Sequence, residues 1–413
     1  MDNAKYRAYP YRWAVLGSFM LVNLVMQALW IDFSPIMRDA AAYYGVTQLA
    51  IGFLAMLFMI IFLPLSVPAS WIIDRFGFRK STGIGAALMA AFALARALAG
   101  PSYALVVVGT AGLAIAQPFL LNSWTKVAAH WFPEGERATA VGMITLANLL
   151  GIAAGMLAGP ALAAAMSVGA AQYVYAAAAG ASALAFLALA REYPPSPAGP
   201  AGSGEKALML DGLKHALSVP SFRLFLGVTF IGMGLFNGLT TWIDEIVTPR
   251  GFGASEAGTL GALILVGGLF GAVAIPALSD RSGKRKPWML IGLLGSLPGL
   301  AGMAFARSFP SLAASAFVLG FFLTSVMPVG MQFATEAAKP TPEGTSNGLI
   351  QLCGQVSVVF VYLMQVMKGG TGSFTWSLMA SGLFVIGAAA LVPFMKEKEA
   401  PLAEGEPEPE AAD

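Results

Sequence analysis

Ser70-Trp71-Ile72-Ile73-Asp74-Arg75-Phe76-Gly77-Phe78-Arg79-Lys80 is a short charged clasp between two long apolar runs, and it returns as Asp280-Arg281-Ser282-Gly283-Lys284-Arg285-Lys286. Such a segment between membrane-length helices makes a tight hairpin at one membrane surface. Gly77 supplies the turn, and Arg79 and Lys80 hold the inner face. Asp74 can accept hydrogen bonds from a helix N-terminus or pair with a nearby arginine. Two copies at matching places in the chain imply a duplicated architecture rather than an ordinary basic loop.

The composition around the clasp agrees. Of 413 residues 57% are hydrophobic and only 11% charged, where a soluble domain carries about a quarter charged residues. The apolar residues fall in runs long enough to cross a ~30 Å hydrocarbon core as helices. The net charge of +2 gives no reason to expect a nucleic-acid partner. Cys353 is the single cysteine and lies in an apolar run, which excludes an intramolecular disulfide and argues against a thiolate metal site. His130 and His215 are expected in polar connections, away from any midplane proton relay. No cofactor is expected. The first run follows Tyr11-Arg12-Trp13 and is too long for a signal-peptide core, so it is expected to be the first span.

Twelve spans are predicted, at 12–35, 49–73, 81–99, 103–125, 137–161, 169–190, 221–246, 255–278, 287–306, 310–334, 344–367 and 374–395. With the N-terminus inside, five of the 24 lysines and arginines face outward (Arg38, Arg96, Arg250, Arg307, Lys368) and the other nineteen inward. That asymmetry predicts both termini in the cytoplasm of a multi-pass protein of the cell membrane. The fold class expected is therefore all-α integral membrane. A bundle at 1–190 and another at 221–395 are joined by a flexible cytoplasmic linker at 191–220, which opens with Pro194-Pro195-Ser196-Pro197. A disordered acidic tail follows at 396–413. The Gly-Ser-Gly-Glu-Lys of the linker lacks both the Gly-Lys-Ser/Thr and the preceding strand of a phosphate loop.

The halves are repeats. Trp30-Ile31-Asp32 recurs as Trp242-Ile243-Asp244, Asp74 as Asp280, Pro118 as Pro328, and Pro133-Glu134-Gly135 as Pro342-Glu343-Gly344. The doubled Asp-Arg-x-Gly-x-basic-basic loop resembles the signature of the major facilitator superfamily of transporters, with Ser70 and Pro276 where that family usually opens on glycine. The resemblance implies two six-helix halves, a conformational latch formed by Asp74, Arg75, Gly77, Arg79, Asp280, Arg281, Gly283 and Arg285, and a monomer. Gly151, Gly155 and Gly159-Pro160 on span 5, and Gly267, Gly268 and Gly271 on span 8, read as tight helix packing.

Duplication of this kind places a site near the midplane between the halves. Ionisable residues there are scarce. Asp32, Asp244 and Glu245 fall near outer span ends, Arg96 near the outer end of span 3 and Glu336 near the inner end of span 10. Asp32 is the candidate for coupling to a proton, a partner expected beside the small-molecule substrate and the lipid bilayer if transport is coupled. The midplane holds amides instead: Gln117, Asn148, Asn237 and Gln355. On span 1, Asn23, Gln27, Trp30 and Ser34 share a helix face. Each amide alone could be interhelical glue, but together on pathway helices they suggest substrate contact. Tryptophans and neutral amides without a buried Lys or Arg suit a neutral or cationic solute, and indole binds quaternary amines by cation–π attraction.

Met59-Ile60-Ile61-Phe62-Leu63-Pro64-Leu65, Val67-Pro68-Ala69-Ser70-Trp71, Gly320-Phe321-Phe322-Leu323-Thr324 and Glu343-Gly344-Thr345-Ser346-Asn347-Gly348-Leu349 resemble the transporter family named for the feline leukaemia virus subgroup C receptor. That family is associated with choline and ethanolamine transport, and earlier with haem export. The resemblance implies substrate contact by Trp30, Gln117, Asn148 and Gln355. Leu239 stands where the family has a span 7 tyrosine, with Trp242 one turn on. The expectation is uniport of a small cationic amine by alternating access at Asn23, Gln27, Trp30, Gln117, Asn148, Asn237, Trp242 and Gln355. The alternative is proton-coupled movement of a monocarboxylate-like organic anion, haem or an amphipathic drug. No His-Glu-x-x-His or Gly-x-Ser-x-Gly motif points to an enzyme.

Overall fold

The computed structural model describes residues 8–196, 210–341, 343–368 and 373–396. The middle of the expected linker and the acidic tail past Lys396 lie outside them. The described residues form helices and connections, without a strand. Twelve helices are long and apolar enough to cross a membrane. They are spans 1 to 12: Arg12–Tyr44, Gln48–Phe76, Phe78–Leu98, Tyr103–Trp131, Thr139–Ala165, Val168–Leu189, Pro220–Thr241, Ala254–Ser279, Lys286–Phe305, Phe309–Ala334, Gly348–Lys368 and Thr375–Phe394.

Several spans are broken where the sequence reading drew them continuous. Span 1 is a regular helix over Arg12–Ile31, then a 3-10 turn over Ser34–Ile36, then a second helix over Met37–Tyr44. Pro35 cannot donate back to Ile31, so the first helix stops there. Span 7 ends at Thr241, turns at Trp242 and resumes as the short helix Ile243–Val247. Span 11 breaks at Ser357, between the helices Glu343–Val356 and Val358–Lys368.

Small residues set the seams. A side chain on Gly155 would meet the Ala28 carbonyl at 2.8 Å, and one on Gly159 the Asp32 carbonyl at 2.7 Å. The span 5 ladder is thus the seat of span 1. Gly267 and Gly271 lie in the same way against the backbone of Phe317 and Phe321, joining span 8 to span 10. Such close approach maximises dispersion contact where lipid offers no hydrophobic drive.

At the end carrying the termini, Gly77 adopts φ +86° and Gly283 φ +65°, values that a side chain would strain. Glu192 accepts from the backbone N–H groups of Phe78 and Arg79, at 3.0 and 2.8 Å, and so caps span 3. Asp74 pairs with Lys126 at 2.5 Å, and Arg75 lies over the rings of Trp71 and Phe76. In the second half Arg285 pairs with Glu336 at 3.5 Å. Positions 126 and 336 are related by the repeat, so each half ties its clasp loop to the same place on the helix of span 4 or span 10, through different loop residues and with opposite polarity. Arg79 and Arg281 are exposed, and the side chain of Asp280 lies outside the described ones.

Two expectations for this end need correction. His130 sits in the helix Trp124–Trp131, its ring 3.2 Å from the Glu192 carbonyl oxygen, and not in a polar connection. The linker is also not wholly flexible. Leu210–Ser218 is a helix whose Ala216 is fully buried and whose His215 is hydrogen-bonded to Thr341 at 2.8 Å. Its apolar residues alternate with Asp211, Lys214 and His215 at helical spacing, so one face can bury while the other stays polar.

The apolar core is divided unevenly. Near the termini, the first half packs its own core from residues such as Leu16, Phe19, Phe78 and Phe132. At the far end Ile31, Met37, Leu54 and Met156 join the core of the second half. The halves are therefore sealed together at the far end, and the space between them lies nearer the termini.

Candidate binding cavity

That space is a cavity of about 590 Å³ lined by spans 1, 2, 4 and 5 from one half and 7 to 11 from the other. Six of the eight expected binding residues line it: Gln27, Trp30, Gln117, Asn148, Asn237 and Gln355. Among the described residues, none of the lining side chains is ionisable.

Hydrogen bonding divides the amides into two kinds. Gln27 donates to the Asn148 side-chain oxygen at 2.8 Å, and Asn148 donates to the Ile144 carbonyl at 2.8 Å. This pair ties span 1 to span 5, and Gln27 keeps its own carbonyl oxygen free. Asn237 donates to Ser357 Oγ at 3.4 Å, holding the break in span 11. Gln117, on span 4 of the first half, and Gln355, on span 11 of the second, have no hydrogen-bond partner among the described residues and are able to donate to or accept from a solute. The Trp30 indole N–H is tied to the Ala55 carbonyl at 3.1 Å, leaving the ring to a ligand.

Two expected residues lie elsewhere. Asn23 is fully buried behind Trp124, accepting from its indole N–H at 3.3 Å while donating to the Phe19 carbonyl. It positions a lining residue without lining. Trp242 is fully buried at the far end, donating to the Val361 carbonyl at 3.0 Å, stacked on Phe374 and packed on Gly52 of the other half. Leu239 is fully buried and also absent from the lining.

Asp32 does not face the cavity. It pairs with Arg96 at 2.7 Å with both side chains about 1% exposed, and Gln172 donates to the same carboxylate oxygen at 3.1 Å. Arg96 also donates to the Leu29 carbonyl at 3.2 Å and lies over the Phe33 ring, so the pair pins the break in span 1. Asp244 Oδ2 accepts from the Arg38 backbone N–H at 2.9 Å, capping the helix Met37–Tyr44 across the two halves. Burial pushes its carboxyl above the ordinary carboxylate value, and the Arg38 N–H and charge and the Thr248 hydroxyl bring it partly back. Glu245 pairs with Lys368.

The sequence reading missed Trp124, Thr145 and Gln351 as lining residues. Two carried a signal: Trp124 follows Gln117 at seven residues, and Gln351 precedes Gln355 at four, each pair on one helix face. A second concavity of about 750 Å³, between spans 2, 4 and 11, has almost wholly apolar walls on the bundle's perimeter and offers no comparable polar set.

Twelve membrane-length helices in two repeated halves around a central neutral cavity define a polytopic transporter. Its sequence matches the profile of the Major Facilitator Superfamily over residues 15–281 and 245–412. The chain belongs to that superfamily. It is 28% identical over 408 residues to the choline/ethanolamine transporter FLVCR2 of Rattus norvegicus, covering 93% of this chain and 74% of the relative. It is 27% identical over 389 residues to solute carrier family 49 member A3 of Xenopus tropicalis, covering 88% and 79%. Among solved structures it is similar to a bacterial homologue of the human lysosomal transporter Spinster, in an inward-facing and unoccupied conformation. The TM-score is 0.78 at 17% identity, covering 94% of this chain and 98% of that one. This last likeness concerns the fold.

Proposed function

We propose that the chain carries a small organic amine, of the choline or ethanolamine type, across the cell membrane by alternating access at this cavity. The observation that carries the reading is the polar part of the lining: amides, indoles and hydroxyls, with no ionisable side chain among the described residues. Amide oxygens accept from an ammonium or hydroxyl group, and indole rings attract a quaternary nitrogen. An organic anion ordinarily needs a buried Arg, Lys or helix N-terminus, and the lining offers no basic side chain. The identity to choline/ethanolamine transporters over most of the chain supports the same class.

Trp30, Gln27, Gln117, Asn148, Asn237 and Gln355 contact the solute, with Asn23 behind Trp124 and Trp242 sealing the far end. Both termini are cytoplasmic, following the charge asymmetry, so the cavity opens inward. The Asp74–Lys126 and Arg285–Glu336 pairs each lie within one half and move with it as the halves rock. The carrier works as a uniporter, because the coupling candidate Asp32 is held by Arg96 away from the cavity.

Flux of labelled choline and ethanolamine into proteoliposomes tests this. The expected result is saturable, downhill uptake that is unchanged by an imposed proton gradient and strongly reduced in Trp30→Ala. Uphill accumulation driven by that gradient, and lost in Asp32→Asn, overturns uniport. Flux of organic anions without amine flux overturns the substrate class.

A further inference from the structure

The walls of the cavity differ in chemistry. Spans 1, 4, 5 and 11 bring the amides of Gln27, Gln117, Asn148 and Gln355 with the indoles of Trp30 and Trp124. Spans 8, 9 and 10 bring Leu265, Leu269, Leu293, Leu323, Val326 and Met327. Thr324, the one hydroxyl on that side among the described lining residues, has both its contacts inside the wall, 2.9 Å from the carbonyls of Gly268 and Gly320. Its proton is therefore unavailable to a solute.

A bare ethanolamine-sized solute can use these amides and indoles, with Asn237 of span 7, and nothing that spans 8 to 10 present. It leaves the opposite wall against trapped water once the cavity closes, which is unfavourable for apolar surface. A cavity of about 590 Å³ is also in the range of sites for ligands well above that size, roughly 300–1,000 Å³. The apolar wall contains the flexible thioether of Met327, a side chain that moulds to varied apolar partners. Among the described lining residues no cation or carboxylate interrupts either wall, so one solute can span both.

We propose that the cargo is an amphiphilic amine. Its ammonium head sits among the amides and indoles of spans 1, 4, 5 and 11, and an alkyl or aryl arm lies on the leucine-methionine wall of spans 8 to 10. This inference rests on the amine reading above and narrows it. The amides set the recognition of the head, and the arm sets the affinity by removing apolar surface from water on both partners.

The test is binding of an n-alkyltrimethylammonium series, from methyl to hexyl, to the purified full chain, measured by titration calorimetry below micellar concentrations. Affinity is expected to rise roughly three- to four-fold per methylene until the arm spans the wall, the increment for a buried methylene expressed as a ratio. Met327→Gln and the near-isosteric Val326→Thr are expected to flatten that slope. Trp30→Ala is expected to weaken every member by a similar factor and keep it. A flat or falling series in the unsubstituted chain, with choline bound, overturns the amphiphile and leaves the amine reading standing. An unchanged slope in both wall variants also overturns it, because the arm then lies elsewhere. Absence of binding by any amine, or equal binding of neutral alkanols with the same arms, overturns the amine reading and this inference with it.

Discussion

Trp30-Ile31-Asp32 and Trp242-Ile243-Asp244 occupy equivalent places in the two halves, yet they perform different work. Each tryptophan ties its indole N–H to a backbone carbonyl within its own half, Trp30 to Ala55 and Trp242 to Val361. Trp30 then borders the cavity, whereas Trp242 reaches across and fills the space over Gly52. Asp32 turns inward to Arg96, and Asp244 turns outward to cap the Met37–Tyr44 helix of the other half. Duplication supplied the same side chains at the same depth, and the neighbours decided their roles. An arginine at position 96 makes the first acid structural, and its absence at the repeat-related place leaves the second acid free to bridge the halves.

The largest effect expected from breaking this asymmetry is at Arg96. Arg96→Ala strands Asp32 as an unpaired buried carboxylate beside the break in span 1, which costs about 3–5 kcal/mol. The folded yield and the thermal midpoint in detergent should fall sharply. Arg96→Gln with Asp32→Asn replaces the ion pair by amides and should recover most of the loss, because no buried charge remains uncompensated. Recovery by Asp32→Asn alone, with arginine kept, would show instead that the arginine needs no counter-charge, and the pair would lose its structural role.

The two tryptophans come next. Trp242→Ala opens a void in a fully buried cluster and should cost about 3–5 kcal/mol of far-end closure and fold stability combined. Trp30→Ala, at the cavity wall, should cost less stability and more ligand affinity. Bimane labelling of Leu54→Cys, in a Cys353→Ser background, reads far-end opening directly, since Leu54 is buried in the joined core. Trp242→Ala should accelerate labelling, and Trp30→Ala should leave it near the starting rate. Equal acceleration by both would remove the distinction between lining and seal.

Most of the fold was legible in the sequence because membrane spans are set by length and polarity, both visible along one dimension. The glycine ladder was legible as packing, since small residues four apart leave a groove whatever partner fills it. The roles within the repeated motif were not. Side-chain depth can be counted from a span end, but azimuth is lost once a helix breaks, and span 1 breaks between Asp32 and Ile36 while span 7 turns at Trp242. Asn23 was misjudged for a related reason: it shares a helix face with Gln27, but Trp124 of span 4 covers it. The pairing of Asp32 with Arg96 did carry a signal. Two opposite charges at one depth in a membrane seldom stay apart.

The smallest expected effect is also the one that separates the two acids most cleanly. Burial holds the Asp244 carboxyl above its ordinary value in the closed far end, with Arg38 lowering it, Thr248 donating to it and Asp39 raising it. Opening returns the group to water, where it regains that ordinary value. The closed form therefore binds this proton more tightly. Its stabilisation is complete below the ordinary carboxylate value and is lost as pH rises through the raised one. Taken as a ratio to the labelling of a freely exposed cysteine at the same pH, which cancels the loss of reactive thiolate, Leu54→Cys labelling should slow on acidification, by at most about tenfold per pH unit for a single proton. Asp244→Asn holds the position neutral and keeps a carbonyl oxygen for the Arg38 N–H. It should label slowly at every pH and lose the dependence, while the Glu245–Lys368 pair stays intact as an internal control. A labelling ratio that rises on acidification, or a pH dependence of that ratio that survives in Asp244→Asn, would place the proton-sensitive closure on another group and return Asp244 to a purely structural cap.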